Sequence, residues 1–256
     1  MELGLHGKVA IVTGASRGIG KAIALGLAAE GCRLAIIARG AQALQEAATE
    51  IRQLGAEALA LPADVTHTHE IDAAVARVMA LYGRVDILVH NAGGARGQDV
   101  FDTEVEDWQN ALALNVVALS HFARLVVPIM SERGSGRIIT ISSIFGREAG
   151  GRTPYNALKA ALISLTKSLA LQLAPQNILV NSVAPGSILF PGSSWERRMQ
   201  ADPAGMQVFV QQNLPLGRFG TPQEVAALVV FLASPLASLI TGSCLTVDGA
   251  QSHSNI

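Results

Sequence analysis

Seven short apolar runs mark the chain, at 8–12, 33–38, 57–61, 85–89, 137–141, 178–183 and 244–247. They are nearly continuous rather than alternating, which is how strands buried on both faces read. Between them lie segments with apolar residues at three- and four-residue spacing, the period of a helix with one buried face. These predict helices over 18–30, 41–54, 70–81, 104–132, 154–174 and 222–233. Thr221-Pro222 and Thr153-Pro154 each place an N-cap residue before a proline suited to the first helical turn. Strand–helix alternation with short connectors implies parallel strands joined by right-handed crossovers. The expected fold is α/β: a doubly wound parallel seven-stranded sheet with helices on both faces. It forms one domain over residues 1–256. A single excursion at 187–214, rich in Pro, Gly and Ser and then amphipathic, breaks the rhythm and reads as a lid.

The turn after the first run is Thr13-Gly-Ala-Ser-Arg-Gly-Ile-Gly20. A pyrophosphate site needs a sharp bend, backbone approach without a Cβ in the way, and tight helix–strand packing. Gly14, Gly18 and Gly20 can supply these, with the positive end of the following helix facing the anion. Further on, Tyr155 and Lys159 stand one helical turn apart on one face. A phenol of pKa about 10 is a poor proton shuttle near neutrality, and a neighbouring ammonium favours its ionised form.

Composition narrows the field. The 256 residues suit one large domain, and 50% hydrophobic with 15% charged residues suits a buried core. A net charge of −1 with no basic stripe argues against a nucleic-acid partner. No apolar N-terminal run is long enough for a signal segment or a membrane span, so a soluble, cytoplasmic protein is expected. Cys32 and Cys244 form no metal-spaced cluster, and His67 and His69 read as the polar start of a helix. No metal is expected.

The ordered set TGASRGIG at 13–20, Asp64-Val65, Asn91-Ala-Gly93, Asn115, Ser142, Tyr155-x-x-x-Lys159 and Pro185-Gly186 resembles the short-chain dehydrogenase/reductase family over residues 8–249. That resemblance implies a Rossmann fold and hydride transfer between a nicotinamide and a ketone/secondary-alcohol pair. It implies catalytic roles for Asn115, Ser142, Tyr155 and Lys159. Ser142 is selected over Ser143 by the family's thirteen-residue spacing to the tyrosine; its hydroxyl would hold the substrate oxygen, and Asn115 would hold a relay water. It further implies that Ser16, Arg17 and Ile19 join the three glycines around the pyrophosphate. Asp64 and Val65 would flank the adenine, Asn91, Ala92 and Gly93 the ribose, and Pro185, Gly186 and Ile188 the nicotinamide.

Where a carboxylate would hold two free ribose hydroxyls, the chain has Ala38, then Arg39, with Arg17 in the turn. Two arginines suit a 2′-phosphate, so NADP(H) is expected over NAD(H). The chain departs from the family at Phe190, where a threonine is usual, and at His90, read as local packing. The likeness to 3-oxoacyl-thioester reductases makes such thioesters candidate substrates. Leu171, where those enzymes carry an arginine, speaks against a carrier protein. Polyol, sugar or small-alcohol dehydrogenation with NAD is the alternative, and a catalytically silent cofactor sensor the remote one. Apolar surplus on the helices at 104–132 and 154–174 suggests a homotetramer.

Overall fold

Every residue of β1 (Val9–Thr13) is buried, and its side chains divide by parity between two cores. Ala10 and Val12 face one core with Leu34, Ile36, Ile87, Val89, Ile139 and Ile141. Val9 and Ile11 face the other with Ala35, Ile37, Leu88 and Ile138. This two-sided burial is why the runs are continuous: each face of the pleat needs an apolar residue at every second position.

The computed structural model describes residues 2–255. After β1 come α1 (Gly18–Ala29), β2 (Arg33–Ala38), α2 (Ala41–Gln53), β3 (Ala58–Pro62), α3 (Thr68–Tyr82) and β4 (Ile87–His90). Then follow α4 (Val105–Leu112), α5 (Ala118–Glu132), β5 (Gly136–Ile141), α6 (Thr153–Leu173) and β6 (Ile178–Pro185). The chain closes with α7 (Ser194–Ala201), α8 (Pro203–Asn213), α9 (Pro222–Ala233) and β7 (Cys244–Val247). Among the described residues the parallel sheet has seven strands in the order β3-β2-β1-β4-β5-β6-β7. Ile23 and Leu27 of α1, Leu44 and Ile51 of α2 and Val225 and Val229 of α9 cover one face. Ile71 and Val75 of α3, Phe122 and Val126 of α5 and Leu162 and Leu173 of α6 cover the other. The sheet order reverses between β1 and β4, so the loops leaving these strands diverge and open a crevice at their carboxyl ends.

Two departures from the expected elements bear on the site. The helix predicted over 104–132 is interrupted by a π-turn at Ala113–Val117. Asn115, 1% exposed, sits in that turn and donates from Nδ2 to the Ala111 carbonyl at 2.8 Å. A short polar side chain bonding back to the preceding turn loosens the i→i−4 ladder, and the wider turn absorbs it. The excursion at 187–214 contains two short helices, α7 and α8, capped by Ser193 and Asp202. Its root pairs with the chain before α9 through Ile188 and Gly220. The α9 start has the N-cap expected at Thr221, extended by Glu224 into a capping box, whereas α6 already begins at Thr153, with Arg152 rather than Thr153 as its N-cap.

Candidate active site

The glycine turn is as tight as its sequence requires. Gly14 has φ +65°, and a Cβ there would come within 2.8 Å of Asn91 Nδ2 and 3.1 Å of Ala92 Cα. A Cβ on Gly20 would run into the Gly14 carbonyl. Asn91 bolts the turn to the end of β4: its Nδ2 donates to the carbonyls of Thr13 (3.0 Å) and Gly14 (3.2 Å). The backbone N–H groups of Asn91 and Ala92 both donate to Thr13 Oγ1 at 3.0 Å. Asn91 thus shapes the turn rather than only bordering it.

A cleft of about 450 Å³ runs over this turn. Gly14, Ser16, Arg17, Ile19 and Gly20 form its floor, and Arg39, Asp64, Val65, Asn91, Ala92 and Gly93 border it. Gly18 lies beneath Phe190: a Cβ there would meet that ring at 2.6 Å. The carboxyl end of β2 reads Ala38-Arg39-Gly40 around this cleft, with no acidic side chain. Arg39 is 80% exposed, its Nη1 3.8 Å from Asp64 Oδ2. Asp64 Oδ1 accepts from the Thr66 N–H (3.0 Å) and hydroxyl (2.8 Å). Burial opposes ionisation of Asp64, but Thr66 and then Arg39 outweigh it and lower its pKa. Arg17 Nη1 donates to the Gly192 carbonyl at 3.3 Å, linking the turn to the excursion.

A second cavity, of about 310 Å³, joins this cleft at Ile19, Asn91, Gly93 and Phe190. Tyr155, Lys159, Ser142 and Ser143 border it on one side, and Pro185, Gly186 and Ile188 on another. The helical spacing holds: Lys159 Nζ lies 5.6 Å from the Tyr155 ring centroid. Lys159 is 3% exposed and donates to the Ile141 carbonyl at 2.8 Å. Burial pushes its ammonium down to about 8. Burial likewise raises the Tyr155 phenol, while the Ser143 hydroxyl and the Arg152 charge pull it down. Gly93 is the wedge beside them: a Cβ there would sit 2.7 Å from Asn115 Oδ1 and 2.8 Å from Lys159 Nζ. Asn115 donates from Nδ2 to the Gly94 carbonyl at 2.7 Å and accepts from the Gly94 N–H at 3.3 Å. His90 lies 3.2 Å from the Asn115 carbonyl through Nε2, and its buried Nδ1 is without a partner among the described residues. Burial, then the Lys159 charge, pushes His90 down to about 4, so the ring is neutral. His90 thus sits as a neutral ring against the Asn115 carbonyl within the π-turn, as local packing.

The two serines part company. Ser142 Oγ donates to the Val183 carbonyl at 3.0 Å and accepts from Ser182 Oγ at 2.7 Å, with Cys244 Sγ at 3.8 Å. Its hydroxyl is spent inside the sheet. Ser143 begins the next turn, accepts from the Phe145 N–H at 3.2 Å and acts on the Tyr155 phenol. This corrects the choice of Ser142: the hydroxyl facing the phenol is that of Ser143.

A third cavity, of about 590 Å³, opens from Tyr155 and Ser143 beneath α7 and α8. Trp195 and Phe209 roof it, their ring centroids 4.8 Å apart. Leu189 and Met199 border a separate surface hollow, and Phe190 also reaches the cofactor side. The sequence reading missed Arg152, Glu148 and the C-terminal tail. Gln251 accepts from the Ser187 N–H (2.7 Å) and donates to the Ser187 hydroxyl (2.9 Å), while the His253 N–H donates to Glu148 at 2.8 Å. No short motif marks a tail that folds back over 64 and 105 residues.

With the site's geometry in view, comparison with known proteins agrees. A family profile described as Enoyl-(Acyl carrier protein) reductase matches residues 14–250. The 3-oxoacyl-[acyl-carrier-protein] reductase of Synechocystis is 39% identical over 250 residues, covering 96% of this chain and 98% of the relative. L-sorbose reductase from Gluconobacter frateurii, solved with NADPH and L-sorbose, superposes with a TM-score of 0.94. It is 36% identical, over 99% of this chain and 100% of that one. A 7α-hydroxysteroid dehydrogenase, solved with NADH and 7-oxo glycochenodeoxycholic acid, gives a TM-score of 0.90 at 37% identity over 99% and 97%. The chain belongs to the short-chain dehydrogenase/reductase family. It is an NAD(P)-dependent oxidoreductase acting on CH–OH groups.

Proposed function

We propose that the chain interconverts a ketone and a secondary alcohol with NADP(H) as the preferred cofactor. The observation that carries this reading is the convergence of Tyr155, Ser143 and Lys159 on one cavity continuous with the glycine turn. The cleft suits a dinucleotide, since Gly14 and Gly20 in its floor, where a Cβ would strike Asn91 or the Gly14 carbonyl, bring bare backbone to the N-terminus of α1. A bound nicotinamide supplies or accepts the hydride. The chain's own residues handle the oxygen and its proton. In reduction Ser143 donates a hydrogen bond to the substrate oxygen as negative charge develops there. Tyr155 delivers the proton to that oxygen, and Lys159 keeps positive charge beside the phenol. Asn115, held by Gly94 and Ala111, fixes the backbone behind Lys159. Steady-state assays of ketones, acyl thioesters and sugars with both cofactors, followed by nicotinamide absorbance, test the reading; absence of turnover with every carbonyl and alcohol overturns it.

Arg17 and Arg39 beside Ala38 support the preference for NADP(H). Charge-assisted contacts to one phosphate are worth roughly 1.5–3 kcal/mol each. Ala38→Asp with Arg39→Ala is therefore expected to move the kcat/KM ratio toward NAD(H) by at least about tenfold. An unchanged ratio removes these residues from the assignment.

A 3-oxoacyl thioester remains within the substrate class, but docking of a carrier protein gains nothing from Leu171, 70% exposed on α6. Two free cysteines suit a reducing, cytoplasmic setting. The stretches 105–132 and 153–176 are long and apolar enough to cross a membrane by length and composition, yet their inner faces pack on the sheet. Leu112, Val117 and Leu171 stand on their outer faces, 43%, 44% and 70% exposed. We assign these faces to contacts between copies in a homotetramer. Sedimentation at micromolar concentration is expected to give four chains per particle, and a monomer would refute it.

A further inference from the structure

The cavity beneath α7 and α8, about 590 Å³, lies within the range of small-molecule sites, roughly 300–1,000 Å³. One end is the Tyr155 phenol with Ser143. Its walls mix apolar side chains, Ile144, Phe145, Trp195 and Phe209, with polar ones, among them Gln212, Asn213 and Gln251. Its charged groups are Arg152, Arg198 and Glu148, with His253 beside them. Neither arginine has a carboxylate within 4.0 Å among the described residues. Glu148 is engaged otherwise: its Oε2 accepts the His253 N–H at 2.8 Å. Arg198 stacks on Trp195, its guanidinium carbon 5.0 Å from the ring centroid. That stacking holds the guanidinium plane and leaves the N–H edges to bond elsewhere. Arg152 stands at the N-cap of α6, close enough for its charge to act on the Tyr155 phenol. The two cations come from different elements, Arg152 from the start of α6 and Arg198 from α7.

Two guanidinium groups against the single Glu148 carboxylate among the described lining residues leave a net positive charge, which favours an anionic ligand. We infer that the substrate is a ketone, or the corresponding secondary alcohol, bearing a carboxylate that Arg152 and Arg198 hold while its carbonyl meets Tyr155 and Ser143. This rests on the oxidoreductase reading above and narrows its substrate class. A planar carboxylate suits two guanidinium forks better than a hydroxyl or amide does.

The test uses the full chain with saturating NADPH and a panel of alicyclic and aryl-alkyl keto acids. Each is paired with its primary amide and with a phosphate monoester on the same skeleton. The wild type is expected to favour acid over amide by about tenfold or more in kcat/KM, through KM, for the best skeletons. Raised salt should shrink that preference. Arg198→Met is expected to raise KM for the acid toward that of the amide, so that the acid-to-amide ratio of kcat/KM falls at least about threefold. Arg198→Lys should restore part of the difference. Arg152→Met should lower acid preference too, and also shift the pH profile of kcat because Arg152 acts on the phenol. Equal kcat/KM for acid and amide across the panel, with both turned over, overturns the carboxylate assignment and leaves the oxidoreductase reading intact. A preference for the phosphate monoester over the acid overturns it as well. Absence of turnover for every ketone and alcohol removes the underlying reading instead.

Discussion

Tyr155→Phe is expected to lose about 10³-fold in kcat and to keep its affinity for the cofactor, because general acid–base groups typically supply 10²–10⁴-fold. The phenol ring borders the cavity beside Lys159, and removing one oxygen leaves that packing in place. What disappears is the proton donor at the substrate oxygen. Stopped-flow hydride transfer and fluorescence titration of NADPH separate the two effects. Near-normal kcat in this variant would remove the phenol from the chemistry. Loss of cofactor binding instead would mean that the ring holds the cleft together.

Ser143→Ala and Ser142→Ala should behave differently although they are neighbours. Loss of one hydrogen-bond donor to a developing oxyanion costs about 10²–10³-fold in kcat, and that is expected for Ser143→Ala. Ser142→Ala is expected to keep kcat but to lower stability by about 1–3 kcal/mol, since the change leaves Ser182 Oγ without its acceptor inside the sheet. Parallel turnover and urea-unfolding measurements decide between them. Greater catalytic damage at Ser142 would reverse the assignment.

That pair also shows what the amino-acid order could and could not convey. The strands were legible because two-sided burial writes itself as unbroken apolar runs; β7 falls where expected, and α9 begins at its Thr-Pro signal. The tyrosine and lysine were legible because helical geometry fixes residues four apart. The serine was not, since counting residues back from Tyr155 is blind to the path of the segment between. That segment contains Gly150 and Gly151, both at positive φ, and a 3-10 turn at Ile144–Gly146. A kink at Asn115 was legible, because asparagine is misplaced inside a helix and the family resemblance implies a functional break there, but its form as a π-turn was not. Asn115 is held partly by Gly94, twenty-one residues away, and helix propensity carries no record of such a partner. His90 meets the Asn115 carbonyl within this π-turn, so its partner could not be read before the turn itself.

The helices over the third cavity, α7 and α8, contain no buried residue and contribute none to either hydrophobic core. Substitutions at exposed positions away from caps and cores usually change stability by less than about 0.5 kcal/mol. The chain can therefore drift through many roofs while its folding free energy stays above threshold. The descendants of such a protein inherit a fixed engine and a replaceable front end. New specificity can then arise by single steps, without first acquiring spare stability.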